Sequence, residues 1–203
     1  SGAMVMQAAI NLFGSVAVAA FTAASKVQNL VTQGMMSMGQ TMASYGGQNY
    51  GKGDYHRLEK GVRSALLISV IYSLLAAVTV GLFLRPLLSL FFSGDIDMAS
   101  LMPWAKTYIY MCAVFYIPLS TIFIFRNIMQ GCGYSFLPMM GGVVELFARM
   151  IAMKLVSFPL ACFCDPAAWV GAALFTGFSW LSVKKKLRAS LLPEDTSSSS
   201  EAK

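Results

Sequence analysis

Three stretches of this chain run for 18 or more residues without a charged side chain: residues 65–84 (ALLISVIYSLLAAVTVGLFL), 107–125 (TYIYMCAVFYIPLSTIFIF) and 166–183 (PAAWVGAALFTGFSWLSV). A helix of that length crosses about 30 Å of hydrocarbon. Inside lipid a backbone has to satisfy its polar groups within its own segment, which leaves a bundle of helices as the solution for such runs. The composition agrees. Hydrophobic residues make up 57% of the chain and charged ones 12%, with a mean hydropathy of +0.64, where soluble proteins carry about 25% charged residues. The expected fold class is therefore all-α, a polytopic transmembrane helix bundle.

Six segments suit such a bundle. Residues 1–13 are apolar and helical in pattern but only about half to two thirds of a crossing, so the chain is expected to begin inside a truncated span. It shows no basic leader or cleavage pattern of a signal peptide. Further spans are expected at 16–48, 63–86, 104–126 (kinked at Pro118), 136–159 and 166–183. The polar loop at 46–63 holds Lys52, Arg57, Lys60 and Arg63 against Asp54 and Glu59, and Lys184, Lys185, Lys186 and Arg188 follow the last span. Basic residues favour the cytoplasmic side. The loop at 93–103, with Asp95 and Asp97, then lies outside, and the alternation holds along the whole chain. The Ser-rich end, 190–203, is too polar to fold and is expected to be a disordered cytoplasmic tail.

The second span is the unusual one. Placed on a helix, Thr22, Lys26, Asn29, Gln33, Ser37, Gln40, Ser44 and Gln48 share an arc about 100° wide, while Ala24, Val27, Val31, Met35, Met38 and Met42 lie opposite. Gly34 and Gly39 are candidate bends or close-packing points. A long stripe of uncharged polar groups within hydrocarbon calls for water, a solute or another polar helix. The stripe either lines a cavity or forms a seam between packed helices, and the room that long amides need favours the cavity.

Other polar residues leave the same choice open. Gln7 and Asn11, one turn apart, suit a helix-to-helix hydrogen bond or a pathway lining. Glu145 and Arg149, four apart in the fifth span, are a neutralising pair or a site for a proton or cation. The net charge of +6 gathers at span ends, which reflects membrane orientation and no nucleic-acid surface. The four cysteines show no CxxC and the single histidine is His56, so no metal site, disulfide framework or cofactor is expected. HExxH, GxSxG and paired intramembrane aspartates are missing, so no enzyme chemistry is visible.

Taken together, MVMQAAINLFGSVAVAAFTAASKVQNL, GGQNYGKGDYHRLEKGVR, IFRNIMQGCGYSFLPMMGGVVELFAR and DPAAWVGAAL resemble the C-terminal lobe of the multidrug and toxic compound extrusion (MATE) transporters, over nearly the whole chain to about residue 188. The resemblance implies an antiporter of two six-helix lobes that exports organic, often cationic, drugs or metabolites in exchange for protons or sodium, rocking between outward- and inward-facing states. By position, Gln7 and Asn11 would belong to the seventh helix, the stripe to the eighth, Tyr108 and Tyr116 to the tenth, and Glu145 with Arg149 to the eleventh. Sodium-coupled members place carboxylates on the tenth helix, and residues 107–125 contain none. The implied partners are the lipid bilayer, small organic substrates and a separate or missing N-terminal lobe, which carries the first-helix aspartate of proton-coupled members. A bacterial inner membrane is the family's default location. The alternatives are a flippase for lipid-linked sugars from the same superfamily, whose pyrophosphate would call for more cationic lining than Lys26, and a gene fragment with no function of its own.

Overall fold

The computed structural model describes residues 14–91, 98–152 and 162–192. Within them the chain forms six helices: α1 (Ser15–Gly51), α2 (Tyr55–Ser89), α3 (Met98–Val114), α4 (Tyr116–Gly131), α5 (Phe136–Ala152) and α6 (Cys164–Leu191). The predicted first span, with Gln7 and Asn11, and the tail from 193 onward lie outside the described residues.

By length and composition, α2 and α6 are each able to cross a membrane, and α3 with α4 are long and apolar enough only together, across a bend. The α1 helix is the longest of the six at 37 residues, about 55 Å. Its polar stripe is what sets it apart from those three. The bend between α3 and α4 is 52° and falls at Phe115 (φ −104°, ψ 16°). The kink expected at Pro118 is thus displaced by three residues. Proline has no N–H to give the carbonyl four positions earlier and its ring collides with that carbonyl, so the distortion falls on the preceding turn. Pro86 does the same in α2, where Phe83 leaves helical geometry (φ −110°, ψ 20°).

The polar segment predicted as a loop at 46–63 is mostly helix. α1 continues to Gly51, only residues 52–54 turn, and the Asp54 carboxylate accepts from the Arg57 N–H at 2.9 Å to cap α2. The glycines there serve packing. A Cβ on Gly46 would come within 2.6 Å of the Ile128 side chain and 3.2 Å of its carbonyl, one on Gly39 would come within 2.6 Å of Asn127, and one on Gly131 would run into the Ala43 carbonyl. Gly39, Ala43 and Gly46 form the small-residue seam by which α1 lies close on α4, an arrangement common between membrane helices. Gly34, under the Tyr72 ring, is likewise a contact point, and α1 passes both glycines as unbroken helix.

With α3 and α4 taken together across their bend, successive segments run in opposite directions between two ends. At one, Phe21 packs edge-on to Tyr108 with ring centres 4.8 Å apart, and Tyr108 donates to Asp165 Oδ2 at 3.4 Å. At the other, the Tyr45 hydroxyl donates to the Arg57 carbonyl at 2.8 Å and Lys184 Nζ donates to Glu59 Oε1 at 2.6 Å. Two apolar clusters fill the space between them. One surrounds Met35, Ile109 and Tyr116, and the other Leu58, Ile128 and Trp180.

Candidate functional site

The α1 helix divides into two faces, with Leu30 and Met36 exposed at the edges of the polar one and Gln28 and Asn49 buried on the other. Ala24, Val27, Met35 and Met42 are buried against the other helices, Val31 and Met38 are half-buried, and all eight residues of the predicted stripe, from Thr22 to Gln48, are exposed. The stripe is therefore no seam between the described helices. It forms an open polar wall on one side of the bundle.

The wall's chemistry differs along its length. Thr22 and Ser37 direct their hydroxyls back to the carbonyls of Val18 (2.8 Å) and Gln33 (3.0 Å). Such hydroxyls have already spent their donors on the helix. Asn29, Gln33 and Gln40 make no side-chain hydrogen bond to another described residue, so each amide offers both donors and acceptors outward. Lys26, near one end, sits 5.7 Å from the centre of the Phe91 ring, a cation–π contact. At the other end a cleft of about 250 Å³ between α1 and α4 brings Gln40 together with Arg126, Asn127 and Gln130. Arg126 reads in the sequence as a span-end anchor. Its i, i+4 spacing with Gln130 is the signal that would have placed both on one face.

Two candidates lie elsewhere. Tyr108 and Tyr116 are buried in the bundle core at 3% and 0% exposure, away from the wall. The Tyr116 hydroxyl donates to Gln28 Oε1 at 2.7 Å, Gln28 Nε2 donates to Thr32 Oγ1 at 3.5 Å, and Ser73 donates to the Tyr116 carbonyl at 3.3 Å. Tyr116 thus ties together α1, α2 and α4. Glu145 is half-buried on α5, a helix that packs mainly on α6, and it already has an interaction partner. The Arg149 side chain lies outside what the structure describes.

At the end of the bundle where α2 begins, three charged side chains meet. Glu59 receives both Arg63 Nη2 (2.7 Å) and Lys184 Nζ (2.6 Å) on the same oxygen. The hydrogen bond from Lys184 first, then that from Arg63, hold its carboxyl below the usual carboxylate range. This three-residue network fastens the start of α2 to the end of α6.

The bundle is similar to several solved transporters. A MATE protein in its bent conformation superposes with a TM-score of 0.79 at 15% identity, the match covering 90% of this chain and 41% of that one. A MOP-superfamily transporter from Pyrococcus furiosus, described as having a binding pocket of reversed polarity, gives 0.79 at 17% identity, covering 92% and 43%. An outward-facing multidrug resistance MATE transporter gives 0.73 at 17%, covering 92% and 44%. At such identities the fold is what is shared, and the chain spans less than half the length of each. No curated protein gives a significant match. The sequence of residues 1–161 matches the profile of the MatE family, and with so much of its length accounted for, the chain belongs to that family.

Proposed function

We propose that this chain is the C-terminal six-helix lobe of a secondary antiporter that exports organic compounds in exchange for protons or sodium, and that the open wall of α1 is its share of the central cavity. The observation that carries the reading is the exposure of the whole stripe on an otherwise apolar bundle. A polar face of that extent is costly against lipid. A facing lobe with water and substrate between them would receive it. Outward amides at Asn29, Gln33 and Gln40 suit uncharged polar groups on a substrate, and Lys26 and Arg126 set the charge at the two ends. The basic end, with Lys184–Arg188, faces the cytoplasm, and the family's default places the protein in a bacterial inner membrane. Residues 107–125 carry no carboxylate, so the coupling groups in this reading are Glu145 or residues of the facing lobe.

The test is made in the complete two-lobe transporter. Gln33→Leu with Gln40→Leu, at normal expression, should lower resistance to at least part of a compound panel, by about five- to tenfold for each hydrogen bond a substrate loses. Unchanged efflux for every compound would overturn the cavity assignment.

Arg126 favours a second reading. Flipping a lipid-linked sugar requires cations for the pyrophosphate, and this residue adds one beside Gln40 to the one at Lys26. Loss of lipid-linked sugar translocation in an Arg126→Gln transporter whose drug efflux is intact would select the flippase.

A further inference from the structure

Between α2 and α3 lies a cleft of about 650 Å³ whose lining includes Gly81, Arg85, Lys106 and Tyr110 and none of the α1 stripe. Arg85 and Lys106 are both exposed, and neither forms an ion pair with a described carboxylate. Two cations at one mouth, with no described carboxylate paired to either, raise the local potential. The Tyr110 hydroxyl donates to the Gly81 carbonyl at 3.3 Å and so ties the two helices together at the cleft.

A second cavity, of about 330 Å³, continues from the first. Tyr110 lines both, and the inner one is bordered by Leu74, Ala77, Ala113, Val114 and Ile117. It ends beside the 52° bend at Phe115, where α3 turns into α4. The result is one groove with a cationic mouth and an apolar channel. From Arg85 back to Leu74 it spans eleven residues of α2, about 16 Å, close to the depth of one leaflet's hydrocarbon, about 15 Å. The outer face of α2 beside it is apolar and open, with Leu75, Val78 and Leu82 exposed at 63%, 58% and 73%.

Gly81 is the other indication. A Cβ built on it would meet nothing within 4 Å, so no packing among the described residues calls for a glycine there, although glycine weakens a helix interior. Its effect is to keep the cleft floor open beneath the two cations.

We propose that this groove binds a phospholipid of net negative charge, with the phosphate held between Arg85 and Lys106 and one acyl chain lying along the channel toward Phe115. A soluble phosphate would use the mouth alone. The apolar channel behind it selects the lipid. This inference is independent of what the polar wall transports.

Native mass spectrometry of the full chain in non-ionic detergent, with equimolar phosphatidylglycerol and phosphatidylcholine, tests it. One phosphatidylglycerol should be retained in preference, on the order of tenfold, as two interfacial cations would give. Arg85→Gln with Lys106→Gln should abolish that preference, and Lys185→Gln with Lys186→Gln, which removes as much charge at the opposite end, should leave it intact. Gly81→Leu keeps both cations and fills the cleft, so it should also lose the lipid. It carries the test if the double variant does not fold. Equal retention of the two lipids, an equal loss in the control pair, retention by Gly81→Leu, or displacement of the lipid by millimolar inorganic phosphate would each overturn the proposal.

Discussion

Tyr116 shows how far a residue's neighbours can lie from what its sequence position suggests. It is completely buried, and its partner Gln28 is 88 positions earlier. Tyr116→Phe would leave the Gln28 carbonyl oxygen without its short donor in the core, and the expected loss is about 1 to 3 kcal/mol, read as a lower thermal midpoint in detergent. Adding Gln28→Leu should recover part of that loss, because the orphaned acceptor goes with it. Strictly additive losses would mean that the bond contributes nothing. The periodicity of α1 correctly separates an outward polar arc from an inward apolar one. Gln28 falls outside the arc, and only its partner explains why an amide belongs on the buried side. Tyr116, a pathway candidate from its place in the chain, is a core hydrogen-bond donor in this lobe.

At the level of helices, the chain's pattern placed the described helices in their order, but their ends were obscured by glycine. Gly46 and Gly47 read as loop formers, yet they lie inside α1 because α4 approaches closely there. Glycine signals a turn and a tight interhelical contact with the same letter, and only a partner helix tells them apart. Gly131→Ala should therefore cost about 1 to 3 kcal/mol, since the added methyl would meet the backbone of Ala43, which has little freedom to move aside. Gly142→Ala, where a Cβ meets nothing within 4 Å, should be neutral or stabilising by up to about 1 kcal/mol. Equal thermal midpoints for the two variants would disprove the seam. Pro118 was visible as a disruption and Pro86 only as the end of a span, and in each helix the distortion sits three residues before the ring.

The whole molecule is held at its basic end by Glu59 between Arg63 and Lys184. Because its carboxyl titrates below the ordinary value of 4.5 in the folded chain, the network's contribution is complete above that value and is lost as the pH falls through the lowered one. The network is partly exposed, at 22% for Glu59 and 33% for Lys184, so Glu59→Gln should cost no more than about 1 kcal/mol at neutral pH. The gap between wild type and variant should close on acidification through that lowered value; a gap that stays constant would remove the charge from the explanation. The cluster of charge at this end was readable from the chain, because Glu59, Arg63 and Lys184 all flank apolar runs. The polar wall was readable too, whereas the α2–α3 groove was not, since it depends on how two helices pack. The close seam between α1 and α4 also bears on how such a chain is made. A helix with a polar flank finds little in lipid to hold it, and the helix that grips α1 is synthesised some 70 residues after α1 is complete. During synthesis α1 has to wait, sheltered by the insertion machinery or lodged at the membrane surface, until α4 emerges to draw it in. A chain cut after α2 is expected to leave α1 accessible to water-borne labelling reagents, and one cut after α4 to protect its buried face.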